Sequence, residues 1–442
     1  MQQCRSFRIL PRSICKLKSL QKLNLSGCSM FQCFPEVSEV MGSLRYLYLD
    51  GTAITKLPSP IENLKGLSSL EVRNCKNLSI LPEMISGIDY SINMPDRGVD
   101  IQYLRKLCLT SCSLLNVPYS IGCLFSLEAL DLSGNNFRNI PESINKLIEL
   151  QYLGLRNCRK LVSLPDLPPQ LTTLDAHKCI SLIKVSFDST GVKGNIFEFF
   201  FTNCDKLGSD TRHNILEYAL TKFMRYAKRL NNQIPSILAG ESSFCISGRT
   251  IPRWFGHQSK GFSTTMQLPS QWANIKFLGF TLCVVIKFDG FYFGCNNGFQ
   301  IRCQYHFKNE YRECSDLLSY FGGWYGKRTP RTYHDKEFGR QYPMFFGYDP
   351  CVDATKDDHF SKYRELVDEF YPEDMDGNPL QYCEVINCGV RLLYSDEELF
   401  CRRRSIGLPK VEELDTISLS PKFHPRYGLD CLKFPPIINL KD

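Results

Sequence analysis

The side chains with which this 442-residue chain could do chemistry are its 21 cysteines and seven histidines. A thiol can act as a nucleophile beside an imidazole, ligate a metal, or oxidise to a disulfide. Two placements invite the first two readings: Cys245 stands twelve residues before His257, and Cys295, Cys303 and His306 lie close together in sequence. They give a cysteine-dependent hydrolase or a metal-binding protein as a minor alternative. Against a structural metal, no Cys-x-x-Cys pair occurs. Against a disulfide framework, the count is odd and the chain is long enough to bury a core without cross-links. No Gly-x-x-x-x-Gly-Lys-Ser/Thr occurs either, so no phosphate-cradling loop is visible. We expect no catalytic residue, no metal site and no cofactor, in a reducing compartment.

More informative is a subset of cysteines that recurs with a period. Aligning the chain on Leu-x-x-Leu-x-x-Leu-x-Leu places the third position at Leu23, Leu47, Leu70, Leu107, Leu130, Leu153 and Leu174. Five residues after each stands Cys28, Thr52, Cys75, Cys112, Asn135, Cys158 or Cys179. This is the pattern of a leucine-rich-repeat solenoid. Each Leu-x-Leu is a short strand with its leucines inward and its alternate residues on a concave face. One copy cannot bury its leucines alone, so copies stack. At the ladder position the chain turns and leaves backbone groups unpaired between coils, which a small buried donor side chain can bond. The step from Leu70 to Leu107 holds an insertion, read as a loop over 88–100, and apolar-Pro steps such as Val117-Pro118 and Ile140-Pro141 point to an irregular convex return. Among the outward positions, Tyr and Arg are the types that most often anchor interfaces. That selects Tyr46, Tyr48, Arg73, Tyr152 and Arg156 as the partner-binding residues.

Downstream the solenoid period stops. The chain divides into a solenoid of about seven to eight repeats over 1–188, a β-rich domain over 189–395 with an entry helix near 209–230, and a basic, Pro-rich tail over 396–442. The helix carries an apolar stripe from Ile215 to Ala227, with Lys222, Arg225, Lys228 and Arg229 on a face read as solvated. Aromatic and β-branched runs at 263–268, 277–288, 299–307, 343–348, 363–370 and 385–394 read as strands of an antiparallel sandwich. The fold class is therefore an α/β-type leucine-rich-repeat solenoid followed by a mainly β sandwich. The formal net charge of +7 is too small for a nucleic-acid polycation, and the longest apolar run, Phe277 to Ile286, is too short for a membrane span. We expect no nucleic acid as a partner and no membrane span.

These residues also carry a specific resemblance. The segment Gly248-Arg249-Thr250-Ile251-Pro252-Arg253-Trp254-Phe255-Gly256-His257-Gln258, then Gln267-Leu268-Pro269, then Phe277 to Ile286 resembles the post-repeat domain of plant TIR-type nucleotide-binding leucine-rich-repeat disease-resistance proteins. Phe200-Phe201-Thr202-Asn203-Cys204-Asp205-Lys206-Leu207 resembles that family's helix lead-in, and Cys388 to Tyr394 its closing strand. The resemblance implies a C-terminal jelly-roll and Ig-like (C-JID) domain marked by Ile251, Pro252, Trp254, Phe255 and His257. It also implies recognition of a pathogen effector or a guarded host protein, in the cytoplasm and also in the nucleus. A full-length receptor adds a TIR domain and a nucleotide-binding domain, which would itself be a partner, and neither is visible here. The alternative is a stand-alone leucine-rich-repeat scaffold or decoy.

Overall fold

The computed structural model describes residues 2–81, 103–187, 197–230, 243–274, 276–288, 299–311, 313–324, 342–351 and 358–395. The expected loop at 88–100, Cys295 and the tail from 396 lie outside the described residues. The chain divides into two compact units, Met1–Lys222 with Phe244–Ser247, and Phe223–Ser243 with Gly248–Asp442.

In the first unit, short strands follow one another along the chain: β1 (Lys22–Asn24), β2 (Tyr46–Tyr48), β3 (Ser69–Glu71), β4 (Lys106–Cys108), β5 (Ala129–Asp131), β6 (Tyr152–Gly154), β7 (Ser163–Leu164), β8 (Thr173–Asp175), β9 (Lys184–Val185), β10 (Glu198–Phe201) and β11 (Ser243–Ser247). One sheet runs β1-β2-β3-β4-β5-β6-β8-β10-β11 and is parallel from β1 to β10. Its register sets the seven third-position leucines opposite one another, and Phe199 extends the row. None of these eight side chains is more than 7% exposed. Outside this sheet β7 pairs with β9, and short 3-10 turns start directly after Pro11, Pro60, Pro118 and Pro141. Proline's fixed φ favours such a start, where its missing N–H is not needed.

In the sheet from β1 to β10 each strand leads into a left-handed residue, and Gln3 holds the same place one coil before β1. Gln3, Gly27, Gly51, Asn74, Ser111, Gly134, Asn157, Lys178 and Asn203 have φ between 51° and 77°, where glycine and asparagine are least strained. Their N–H groups reach across to the next coil, as from Gly27 to Asp50 O at 2.7 Å and from Lys178 to Thr202 O at 2.9 Å. At Asn203 the acceptor is instead the Ser247 hydroxyl, 2.9 Å away. The array thus runs one coil past residue 188. Phe199 stands where the other coils carry leucine and Cys204 five residues later, so the stretch resembling a helix lead-in is itself a coil.

A helix, α1 (Ser209–Leu230), follows. Its stripe from Ile215 to Ala227 is buried as expected, but Lys222 is not on a solvated face. It is 1% exposed, its ammonium 4.6 Å from the Phe197 ring centroid and 5.2 Å from that of Tyr218. Ring faces attract a cation that has left water, which a helical wheel does not register. Arg225 is half-buried and Lys228 exposed, while the Arg229 side chain lies outside the described residues.

The second unit is a sandwich of β12 (His257–Lys260), β13 (Ser263–Gln267), β14 (Phe277–Phe288), β15 (Phe299–Lys308), β16 (Cys314–Trp324), β17 (Pro343–Asp349), β18 (Glu365–Asp374) and β19 (Cys383–Tyr394). One antiparallel layer runs β17-β14-β19-β12 and the other β13-β18-β15-β16. Aromatic rings fill the space between them: Trp272 stacks on Phe307 at 5.5 Å and Phe280 on Tyr305 at 5.2 Å. The Trp272 indole N–H donates to Tyr363 O at 3.2 Å, so its one polar group is satisfied. β14 and β17 are covered on both faces, which explains their mostly apolar sequences.

Candidate functional site

The concave sheet face depends on the turn that holds each strand in register. Sγ of Cys75, Cys112, Cys158, Cys179 and Cys204 donates to Leu49 O, Val72 O, Leu132 O, Leu155 O and Ala176 O, at 3.1, 3.2, 3.3, 3.1 and 3.2 Å. Thr52 Oγ1 donates to Leu49 O at 2.7 Å. Asn135 does most: Nδ2 donates to Leu109 O and Leu132 O at 2.7 and 2.8 Å, and Oδ1 accepts from the Leu114 N–H at 3.2 Å. Cys28 is fully buried. Burial pushes the Cys112, Cys158 and Cys204 thiols up to about 12, away from the thiolate a nucleophile needs.

On the face itself, Tyr46 and Tyr48 are half-buried, and the Lys22 ammonium sits 5.1 Å from the Tyr48 ring centroid. Burial, with Glu71 adding, pushes the Tyr48 hydroxyl up to about 12, so it stays a neutral donor. Arg73 is already engaged within the fold. Its guanidinium meets Glu71 Oε2 at 3.0 Å, Asp50 Oδ2 at 3.7 Å and, through Nε, Cys108 Sγ at 3.2 Å. The other Glu71 oxygen takes Lys106 Nζ at 2.7 Å, and Glu71 and Lys106 are each 8% exposed at the side chain. This buried network fixes β2 to β4 side by side at the face.

Further along, Tyr152 is half-buried and Arg156 faces Asp175 Oδ2 at 4.0 Å. Between Asp131 and Asp175 stands Gly154, which the sequence reading passed over. A Cβ there would fall 2.8 Å from Asp131 Cγ and 2.9 Å from the Tyr152 hydroxyl, so these two side chains fill the space over the glycine. Its signal was a glycine at an outward strand position. Burial, with Asp175 adding, raises the Asp131 carboxyl above its usual range.

The post-repeat motif forms a plug within the second unit. Ile251 and Phe255 are buried, and the Phe255 N–H donates to Pro252 O at 3.0 Å. Trp254 stacks on Phe255 at 4.5 Å, meets Phe346 edge-on at 5.6 Å, and has the Arg391 guanidinium 5.5 Å from its ring centroid. His257 opens β12 opposite Val390.

The thiol and imidazole of β15 do not meet. Cys303 is fully buried on the inner face, and burial pushes its thiol well up. His306 is on the outer face, with Nδ1 2.7 Å from Asp316 Oδ1. Cys245 is buried in β11 and belongs to the first unit, His257 to the second. Among the described residues all eighteen cysteines are free thiols, and no group of three His, Cys, Asp or Glu is placed to hold a metal. No described helix is long and apolar enough to cross a membrane.

The C-JID domain model matches residues 246–398 and the Leucine Rich Repeat model residues 126–147. Disease resistance-like protein DSC1 of Arabidopsis thaliana is 33% identical over 414 residues, covering 91% of this chain and 33% of its own length. Disease resistance protein RPP2B of the same plant is 32% identical over 457 residues, covering 87% and 37%. Among solved structures, the leucine-rich repeat domain of the type III effector XopL is 21% identical with a TM-score of 0.38, over 46% of this chain and 70% of that one. The chain spans about a third of the length of the curated relatives it matches.

Proposed function

We infer that this chain, which carries leucine-rich repeats and a C-JID domain and has plant disease resistance proteins as its homologues, is the recognition module of a plant immune receptor. In this reading it binds a pathogen effector or a host protein that effectors modify, inside the cell, and it does so without chemistry of its own. A nucleotide-binding domain of the whole receptor would be the second partner, released when the first binds.

The observation that carries the reading is the concave face of β1 to β10. Its strands are hydrogen-bonded in register, its central charges are neutralised internally, and its half-buried Tyr46, Tyr48 and Tyr152 are the side-chain type that anchors interfaces. A partner that meets them need not desolvate an unpaired charge at Glu71.

The test is capture of pathogen effectors by the chain, compared with the double substitution Tyr46→Ala with Tyr48→Ala. Loss of at least tenfold in affinity is expected, with thermal stability changed by about 1 kcal/mol or less, as for surface positions. An effector held equally well by both forms would refute the assignment of this face.

A further inference from the structure

One carboxyl in the second unit has no evident employment. Asp368, in the middle of β18, is fully buried, and neither carboxyl oxygen has a hydrogen-bond partner. Its neighbours along the inner face of β18 are Leu366 and Phe370. Opposite it in register stand Thr264 on β13 and Tyr305 on β15. Thr264 Oγ1 accepts from the Ser259 hydroxyl at 3.1 Å.

The titratable groups that face it are Asp349 at the end of β17, Cys303 and Tyr305 on β15, and Cys388 on β19. None is a cation. Asp349 already accepts at both oxygens, from the Tyr305 hydroxyl at 2.6 Å and from the Cys351 N–H at 2.8 Å. An ionised Asp368 would therefore be a bare, desolvated charge in an aromatic core, facing a second carboxyl. The proton is the one ligand that removes the charge without needing a cavity.

We propose that Asp368 is held protonated in the folded sandwich, and that losing this proton expels β18 from the core. β18 is bonded to β13 on one side and β15 on the other, so its release opens that sheet at its centre. Burial, with Asp349 adding, raises the Asp368 carboxyl well above its usual range, in keeping with this geometry. The folded state therefore binds a proton that the unfolded chain, with its ordinary carboxyl, has released. Stability from this site is full below the ordinary carboxyl range and is lost as pH rises to the folded-state value.

The experiment uses the full chain and Asp368→Asn, which keeps the shape and removes the ionisation. Urea unfolding is followed by tryptophan fluorescence between pH 5 and 9. Relative to Asp368→Asn, the folding constant of the wild type should fall about tenfold per pH unit until the folded carboxyl ionises. Infrared spectra at pH 6 should show a protonated carboxylic C=O band that Asp368→Asn lacks. A wild-type-to-variant difference that does not change with pH, or an absent band, would overturn the proposal. Should Asp368→Asn fail to fold, Asp349→Asn serves instead. Removing the facing carboxyl should move loss of the same band to lower pH, and an unmoved band would count equally against it.

Discussion

Asn135→Ala separates a hydrogen-bonded ladder from a row of merely small buried residues. Asn135 is 1% exposed and makes three bonds, to Leu109 O, Leu132 O and the Leu114 N–H. Leu132 O keeps a second donor in Cys158 Sγ at 3.3 Å, so alanine strands two backbone groups and weakens a third. At about 1–3 kcal/mol for each stranded buried group, the loss should be about 3–4 kcal/mol. Cys158→Ala removes one weak donor and little volume, for which about 1 kcal/mol is expected. Asn135→Cys should fall between them, because a thiol restores one donor and leaves the Leu114 N–H without its acceptor. All three tryptophans, Trp254, Trp272 and Trp324, lie in the second unit, so fluorescence does not report on the repeats. Far-UV circular dichroism in urea, with amide exchange over 104–137, follows the first unit. If Asn135→Ala costs no more than Cys158→Ala, the ladder is packing and the bonding argument is wrong.

Three further outcomes follow from the same face and its thiols. Lys106→Met leaves Glu71 with Arg73 alone in a site 8% exposed, and should cost about 3 kcal/mol in urea unfolding, while Glu71→Gln added to it should recover most of the loss. Gly154→Leu drives a side chain into Asp131 and the Tyr152 hydroxyl, and should destabilise the first unit by about 1–3 kcal/mol as overpacking does, read from its urea midpoint. Iodoacetamide at pH 8 should modify the exposed Cys4, Cys33 and Cys314 in the native protein. It should spare Cys108, Cys112, Cys158 and Cys204, whose thiols burial pushes up to about 12, with peptide mass spectrometry as the readout.

What the sequence made legible was whatever repeats with a period that physics enforces. A coil that must bury two leucines and turn at a fixed point leaves the same letters at the same spacing, so Leu23 to Leu174 and Cys28 to Cys179 are readable one by one. The coil at β10 escaped because burial asks only for an apolar side chain of adequate size. Phe199 meets that demand as well as leucine does, yet breaks a template written in leucines. In the sandwich, the strands covered on both faces announced themselves, Phe277 to Phe288 above all, whereas of the layer-edge strands Ser263–Gln267 was readable and His257–Lys260 and Cys314–Trp324 were not. An edge strand keeps polar residues and leaves one face to solvent, so it carries half the pattern.

The face was legible as positions and not as partnerships. Tyr46, Arg73 and Arg156 could be placed on the concave side from alternation alone, but spacing does not say which side chains are already engaged. Arg73 lies between Asp50, Glu71 and Cys108, residues drawn from three successive coils and as far as 35 positions away. A partner that takes Arg73 must first compete with Glu71, which then keeps only Lys106. Tyr48 is engaged less tightly, since its hydroxyl stays neutral and its ring already tolerates the Lys22 ammonium. Alanine at Tyr48 should therefore report on binding with little change in the fold. Alanine at Arg73 should report on both at once and is the poorer probe of recognition, even though sequence reasoning ranks the two together.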